Sequence, residues 1–441
     1  MIPIYRQSDR PRLFSRLDKR RGFISGEVQD SVRRILSEVR QKGDRALLRF
    51  AQDFDGVRMS ARALRVPPKA LHAAAAAADP AVVRELEKAI FNIHAYHTRQ
   101  VQKSWEFAKH GVILGQRVLP LDSVGLYVPG GSAAYPSSVL MNVIPAKIAG
   151  VPRIVVATPP GTFQRHPIIA AALRELQVRE IYLLGGAQAI AALAYGTQTI
   201  PRVDKIVGPG NAYVAAAKKE VFGDVDIDMI AGPSEVVVLA TAESNPRYIA
   251  ADMLSQAEHD PSACAICFTN SAPHAVLVQR ELEVQLEQLP RREIARQSLK
   301  EFGAIVVLDS HYQAADWINQ LAPEHLEIFS SVPASAINMI RNVGAIFYGD
   351  YSPEAVGDYF AGSNHVLPTG GTARFFSPLG VYHFQRRTSI IRYTREELTR
   401  TWRSIDRLAR AEGLDAHARS VAIRQSEERH AAEAESEPSE S

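Results

Sequence analysis

The sequence predicts an α/β protein with two similar parallel-sheet domains. Three observations carry this. From Ser123 to about residue 222, short apolar runs alternate with stretches of helical spacing. A second series of apolar runs follows DIDMIAGPS. Glycine or proline punctuates the chain after nearly every run, and the runs lack polar alternation, as strands covered on both faces do.

The elements follow in order. Residues 1–24 are basic and weakly periodic, an arm that needs another surface to order it. VRRILSEVRQKGDRALLRFAQDFD, within 29–55, has helical spacing, and 68–100 form a second helical region containing the alanines Ala73 to Ala78, cheap helix formers. VGLYVPGG is strand then turn, followed by the helix SSVLMNVIPAKIAG. The strands RIVVATPP, EIYLLGG and KIVGPG each lead into a helix: IIAAALREL, AQAIAALAYG and NAYVAAAKKEVFG. EVVVLA, ACAICFT, AIVVLD, HLEIFS and AIFYGD form the second strand series. Beyond Asp350 the polar stretch YSPEAVGDYFAGSNHVLPTGGTARFF reads as a long loop, and long ordered loops are commonly functional. Helical spacing returns over 394–424, and the acidic tail from 427 reads as disordered.

At 441 residues the chain is too long for one simple core. Its net charge of +3, from 51 basic and 48 acidic residues, gives no argument for nucleic acid or membrane as a partner. No apolar stretch is long enough to span a bilayer, and MIPIYRQSDRPRLF lacks a signal core, so a cytoplasmic protein is expected. Two cysteines give no disulfide framework. Cys264 and Cys267 lie in a strand run, where residues three apart face opposite ways, so they read as buried structural thiols.

SQAEHD follows a helical run, and Gln256 and His259, three apart, share one face on a last helical turn. A carboxamide oxygen and an imidazole begin a metal site but do not complete one, since zinc takes four ligands or three and an open position. Glu324 and His325 enter a strand in PEHLEIF, Asp358 lies in the polar loop at AVGDYF, and Glu412 and His417 sit in EGLDAH. Taken singly, these read as solvated, capping or turn residues, as do His72, His94, His97, His110, His274, His311 and His430. His365 also lies in the polar loop. GLYVPGG, LLGGAQAI and VGPGNAYV each join a strand to a helix start, where backbone amides hold phosphate. None is GxGxxG followed by an acid at the usual distance, but three in succession point to a dinucleotide or phosphate ligand.

The ordered set GLYVPGGSA, GGAQAIAALAYGT, VDKIVGPGNAYV, IDMIAGPSEV, LSQAEHD, PEHLEI and GDYFAGSNHVLPT resembles the histidinol dehydrogenase family over residues 27–423. The resemblance implies zinc held by Gln256, His259, Asp358 and His417, with Glu324 and His325 as the catalytic acid/base pair. It implies that Ser234 and Glu412 contact an amino alcohol, together with Gln256, His259, His325, Asp358 and His417. Tyr127, Gln188 and Asn211 match NAD contacts. The implied reaction is oxidation of L-histidinol through L-histidinal to L-histidine with two NAD, the last step of histidine biosynthesis. The implied assembly is an intertwined homodimer whose active site takes the segment carrying His417 from the partner chain.

On that resemblance the two domains are Rossmann-like. Residues 25–126 and 234–379 form the zinc and catalytic domain and 127–233 the NAD domain, with 380–426 a small C-terminal helical segment and 427–441 the tail. His383 in GVYHFQRRTSI stands where many relatives carry an acid, and the acidic tail is extra. A neighbouring branch acts on other alcohols, including sulfonated diols. The PGGSA turn with Glu412 and His417 fits the histidinol branch better.

Overall fold

The computed structural model of the chain describes residues 2–22, 24–130 and 135–436. Residues 131–134, the end of the first glycine turn, lie outside the described residues, as do 437–441. Two compact units result: Met1–Val101 with Pro120–Phe384, and Gln102–Leu119 with Gln385–Ser441.

The first unit holds two wholly parallel sheets. One has five strands in the order Glu180–Leu183, Arg153–Thr158, Ser123–Tyr127, Lys205–Val207, Asp226–Ile227. The chain builds outward from Ser123–Tyr127 in both directions, so strand order reverses between that strand and Lys205–Val207. Such a reversal opens a crevice at the carboxyl ends. The other sheet has six strands in the order Ile4–Arg6, Ala304–Val307, Cys264–Thr269, Glu235–Leu239, His325–Ile328, Ala345–Tyr348.

The central strands of both sheets are buried on both faces, which is why they are unbroken apolar runs. Val236 and Val238 enter one core of the six-stranded sheet, and Val237 and Leu239 the other. In the five-stranded sheet Val156 packs on one side and Val155 and Ala157 on the other.

Two placements differ from the sequence reading. The helices Gly26–Lys42, Asp44–Asp55 and Pro80–Thr98 do not join the six-stranded sheet, to whose domain residues 25–126 are assigned above. Their buried stripes, including Val32, Leu36, Leu47, Phe50, Leu86 and Ile93, pack in the two cores of the five-stranded sheet. The N-terminal arm finds its surface on its own chain: Ile4–Arg6 adds an edge strand beside Ala304–Val307, and Tyr5, Leu13 and Leu17 are buried.

The second unit contains a three-stranded sheet, in the order Gln385–Tyr393, Val112–Pro120, Trp105–Lys109, with the helices Arg395–Ala411 and Asp415–Ser436. The segment 380–426, read as helical, is helical at Arg395–Ala411 and from Asp415, but begins with the strand Gln385–Tyr393, which Thr388, Ile390 and Ile391 favour. The last helix also runs through 427–436, within the tail read as disordered, where alanine and glutamate are good helix formers. Among the described residues, no helix is long and apolar enough to cross a membrane.

Candidate active site

The polar cluster forms at the amino ends of the six-stranded sheet, not at the carboxyl ends where an open parallel sheet usually binds its ligands. Ser234 precedes the strand Glu235–Leu239, and Glu324 precedes its neighbour His325–Ile328. Gln256 and His259 end the helix Pro246–Ala257 and its following turn, before the strand Cys264–Thr269. Asn245 starts that helix by accepting from Arg247 N, with Pro246 at its first position.

Strand alternation separates adjacent side chains, but Glu324 lies just outside its strand and escapes that rule. Its Oε2 accepts from Glu235 N at 3.0 Å and lies 3.7 Å from His325 Nδ1. His325 Nδ1 is 3.1 Å from Glu235 O, a pure acceptor, so the ring carries its proton on Nδ1. Nε2 is then left with a free lone pair. It is buried without a hydrogen-bond partner among the described residues and lies 3.9 Å from Asp358 Oδ1.

Asp358 sits not in an open loop but in the last turn of the short helix Glu354–Tyr359. Glu354, one turn earlier, is buried, 3.6 Å from His325 Nδ1. Its backbone N–H donates to Glu327 Oε1 at 2.7 Å. His325, Glu354 and Asp358 each offer a ligand atom, all within 4.8 Å of one another. Oriented with its NH2 inward, the buried Gln256 donates to Glu354 Oε2 and Glu235 O, each at 3.2 Å; its nitrogen also stands 3.2 Å from His325 Nδ1, with which it shares Glu235 O as acceptor. Its oxygen then lies beside His259 Nδ1, at 3.4 Å. His365 Nδ1 donates to Asp358 O at 3.2 Å.

Burial dominates the protonation of these groups. It pushes Asp358 up to about 7, and holds Glu324 and Glu354 well above the usual carboxylate range, with neighbouring carboxylates adding to the effect. It pushes His325 down to about 3 and His365 down to about 4, so both rings are neutral at pH 7. Crowded carboxyls, a free imidazole lone pair and a carboxamide oxygen make a donor set suited to a divalent cation with nitrogen and oxygen ligands.

Arg20, from the arm, holds this end of the sheet together. Its Nε donates to Ser262 O (2.8 Å), Nη1 to Glu235 Oε1 (2.7 Å), and Nη2 to Pro233 O (2.9 Å) and Ser234 O (3.0 Å). One buried side chain therefore fixes the segments that lead into two strands. Thr369 Oγ1 accepts from Gly232 N at 2.6 Å, tying the polar loop to the same turn.

The residues matched to cofactor contacts lie at the carboxyl ends of the five-stranded sheet. Tyr127 ends its strand, and its hydroxyl accepts from Gly186 N at 3.1 Å. Gly186 has φ of +62°, open to glycine, and begins the helix that carries the buried Gln188. Asn211 Oδ1 accepts from Tyr213 N and Val214 N, both at 3.1 Å, capping the helix Ala212–Val221. Gly208 permits close approach: a Cβ there would lie 2.2 Å from Tyr127 O. Tyr127 and Asn211 thus flank the strand-order reversal.

Glu412 and His417 belong to the second unit, where both are exposed. Cys264 and Cys267 are buried, with burial pushing their thiols up to about 11 and about 12. Sequence reasoning missed Glu354, Glu235 and Arg20. The four-residue spacing of Glu354 and Asp358 was the available signal for the first. His97, His274 and His311, read as solvated or capping, are buried; His274 Nε2, for example, lies 2.8 Å from Ser244 O.

Paired parallel sheets with glycine turns on one and a buried acid–base cluster on the other define an α/β oxidoreductase. A sequence model of histidinol dehydrogenase matches residues 18–425, and the chain belongs to that family. It is 53% identical over 403 residues to histidinol dehydrogenase of Listeria monocytogenes, covering 91% of this chain and 94% of that one. It is 52% identical over 414 residues to the Bacillus subtilis enzyme, covering 93% and 96%. The crystal structure of histidinol dehydrogenase from Elizabethkingia anophelis superposes with a TM-score of 0.88 at 33% identity, covering 97% of this chain and 98% of that one.

Proposed function

We propose that the chain oxidises L-histidinol through L-histidinal to L-histidine with two NAD and a zinc ion, the last step of histidine biosynthesis, as a homodimer. The observation that carries this is the neutral His325 with its free Nε2, set between Glu324 and Asp358. Gln256, His259 and Asp358 would hold the zinc with His417 of the C-terminal segment, and His325 and Glu354 stand close enough to tune it. Bound there, zinc would orient the substrate's imidazole and amine, and NAD would accept hydride at each oxidation.

His325 Nε2 takes the alcohol proton, while Glu235 O keeps Nδ1–H directed inward. Glu324 takes a proton from water, so the aldehyde is oxidised as its hydrate. Beside a bound cation the raised pKa of Glu324 would fall, so that the carboxylate would be ionised for that step. No thiol is needed, since both cysteines are buried in a strand. Ser234, Glu412 and the metal-side residues hold the amino alcohol. Tyr127, Gln188 and Asn211 hold NAD at the Rossmann-like reversal.

The test is NADH absorbance on mixing the zinc-loaded protein, NAD and histidinol. Two NADH per histidinol, lost on chelation and restored by zinc, is the expected result. A zinc hydrolase or a nucleotide-binding module would give no signal.

A further inference from the structure

We infer that Asp55 is the carboxylate that receives the adenosine ribose of the cofactor and sets the preference for NAD over NADP. The inference rests on the NAD reading above. Asp55 ends the helix Asp44–Asp55, which Gly56 terminates at φ +68°. Its Oδ2 is buried, and no group among the described residues donates to it. A buried carboxylate oxygen without a donor is costly, and in a native protein it calls for a partner.

The surroundings identify the partner. A Cβ built on Gly185 would lie 3.4 Å from Asp55 Oδ1 and 3.0 Å from Pro159 Cγ. Pro159 follows the strand Arg153–Thr158, and Gly185 follows the strand Glu180–Leu183. The next residue, Gly186, donates to the Tyr127 hydroxyl. Asp55 therefore reaches, from a helix outside the sheet, the carboxyl ends of the two strands on one side of Ser123–Tyr127. In a dinucleotide-binding sheet of this order, the end of the second strand carries the acid that binds the ribose hydroxyls. Here that position reads TPPGT, with no acid. Asp55 supplies the missing group from another part of the chain. Arg165 acts on it electrostatically, but Arg165 is exposed and its Nη2 donates to Gly130 O at 3.1 Å.

A carboxylate with free acceptor capacity is matched by hydroxyl donors and repels a 2′-phosphate. The test compares wild type with Asp55→Ala and Asp55→Asn, using histidinol with NAD, NADP and an NAD lacking the adenosine 2′-hydroxyl. In Asp55→Ala, KM for NAD should rise about ten- to hundredfold, the loss of a charge-assisted hydrogen bond, with kcat at saturating NAD retained. The ratio of kcat/KM for NAD over NADP should shrink in both variants. Removing the 2′-hydroxyl should weaken wild type and leave Asp55→Ala unaffected. Unchanged KM and unchanged cofactor ratio in both variants would overturn the inference. So would a lower melting temperature with an unchanged ratio, which makes Asp55 only a helix-end carboxylate. Wild-type protein that reduces neither cofactor sinks the NAD reading and this inference together.

Discussion

The carboxylate of Glu324 lies 3.7 Å from Nδ1 of His325, although the two are sequence neighbours whose side chains a regular strand would set on opposite faces. The contact exists because Glu324 stands one residue before the strand and folds onto Glu235 N. Glu324→Gln keeps that acceptor but cannot take a proton. Oxidation of histidinal should slow by about a hundredfold or more, while the first hydride transfer is little affected. Rapid mixing with histidinol and with histidinal separates the two steps. Equal slowing of both would remove Glu324 from the aldehyde stage.

The raised carboxyls give the metal-free protein a signed pH dependence. Asp358, at about 7, and Glu324 and Glu354, held well above their usual range, bind protons in the folded chain that the unfolded chain has released. Their contribution to stability therefore falls as pH rises from about 4 through about 7. Metal binding displaces those protons, so zinc should raise the melting temperature more at about pH 8 than at about pH 5.5. Calorimetry with and without chelator measures this; a zinc shift independent of pH would contradict it.

Removing Arg20 leaves the Glu235 carboxylate buried and unpaired. Arg20→Met should cost about 3–5 kcal/mol, read by denaturant unfolding, and should lower activity by loosening the segments that enter two strands of the six-stranded sheet. Pairing it with Glu235→Gln should recover part of the stability. A double variant no more stable than Arg20→Met would show that the backbone contacts, not the ion pair, carry the effect.

His417→Asn should release zinc on dialysis. If His417 serves the partner's site, mixing the His417→Asn and Glu324→Gln chains should restore roughly a quarter of the wild-type rate of histidine formation, which neither chain sustains alone, because about half the dimers are mixed and each of these keeps one intact site. No recovery on verified subunit exchange would assign His417 to its own chain's site.

Cys264→Ala with Cys267→Ala should oxidise histidinal at the wild-type rate, since thiols pushed up to about 11 and about 12 are not nucleophiles at neutral pH. The core loses volume, so a lower melting temperature is the expected cost. Loss of aldehyde oxidation in folded protein would restore a covalent thiol route.

The two sheets were legible because strands buried on both faces are apolar runs that composition cannot disguise. The strands Trp105–Lys109 and Gln385–Tyr393 were not, because exposed strands rich in charge carry no such run. The family motifs named Gln256, His259, Glu324, His325 and Asp358, which the fold brings to one end of one sheet. No local pattern states which end, and the amino-end placement went unseen. Glu354 and Arg20 escaped because a buried charged residue looks like a solvated one until its partners are known.

The edge strand Ile4–Arg6 has a consequence for biosynthesis. It leaves the ribosome before the other described elements, yet its partner Ala304–Val307 follows about three hundred residues later. The five strands of the other sheet are all made by Ile227, so it can begin to assemble while translation continues, although Leu379, Val381 and Phe384 join one of its cores later. The opposite layer must wait with its first strand and its arginine clasp unplaced. Nascent chains halted before residue 304 should therefore resist protease in the first layer and be cut in the amino-terminal arm.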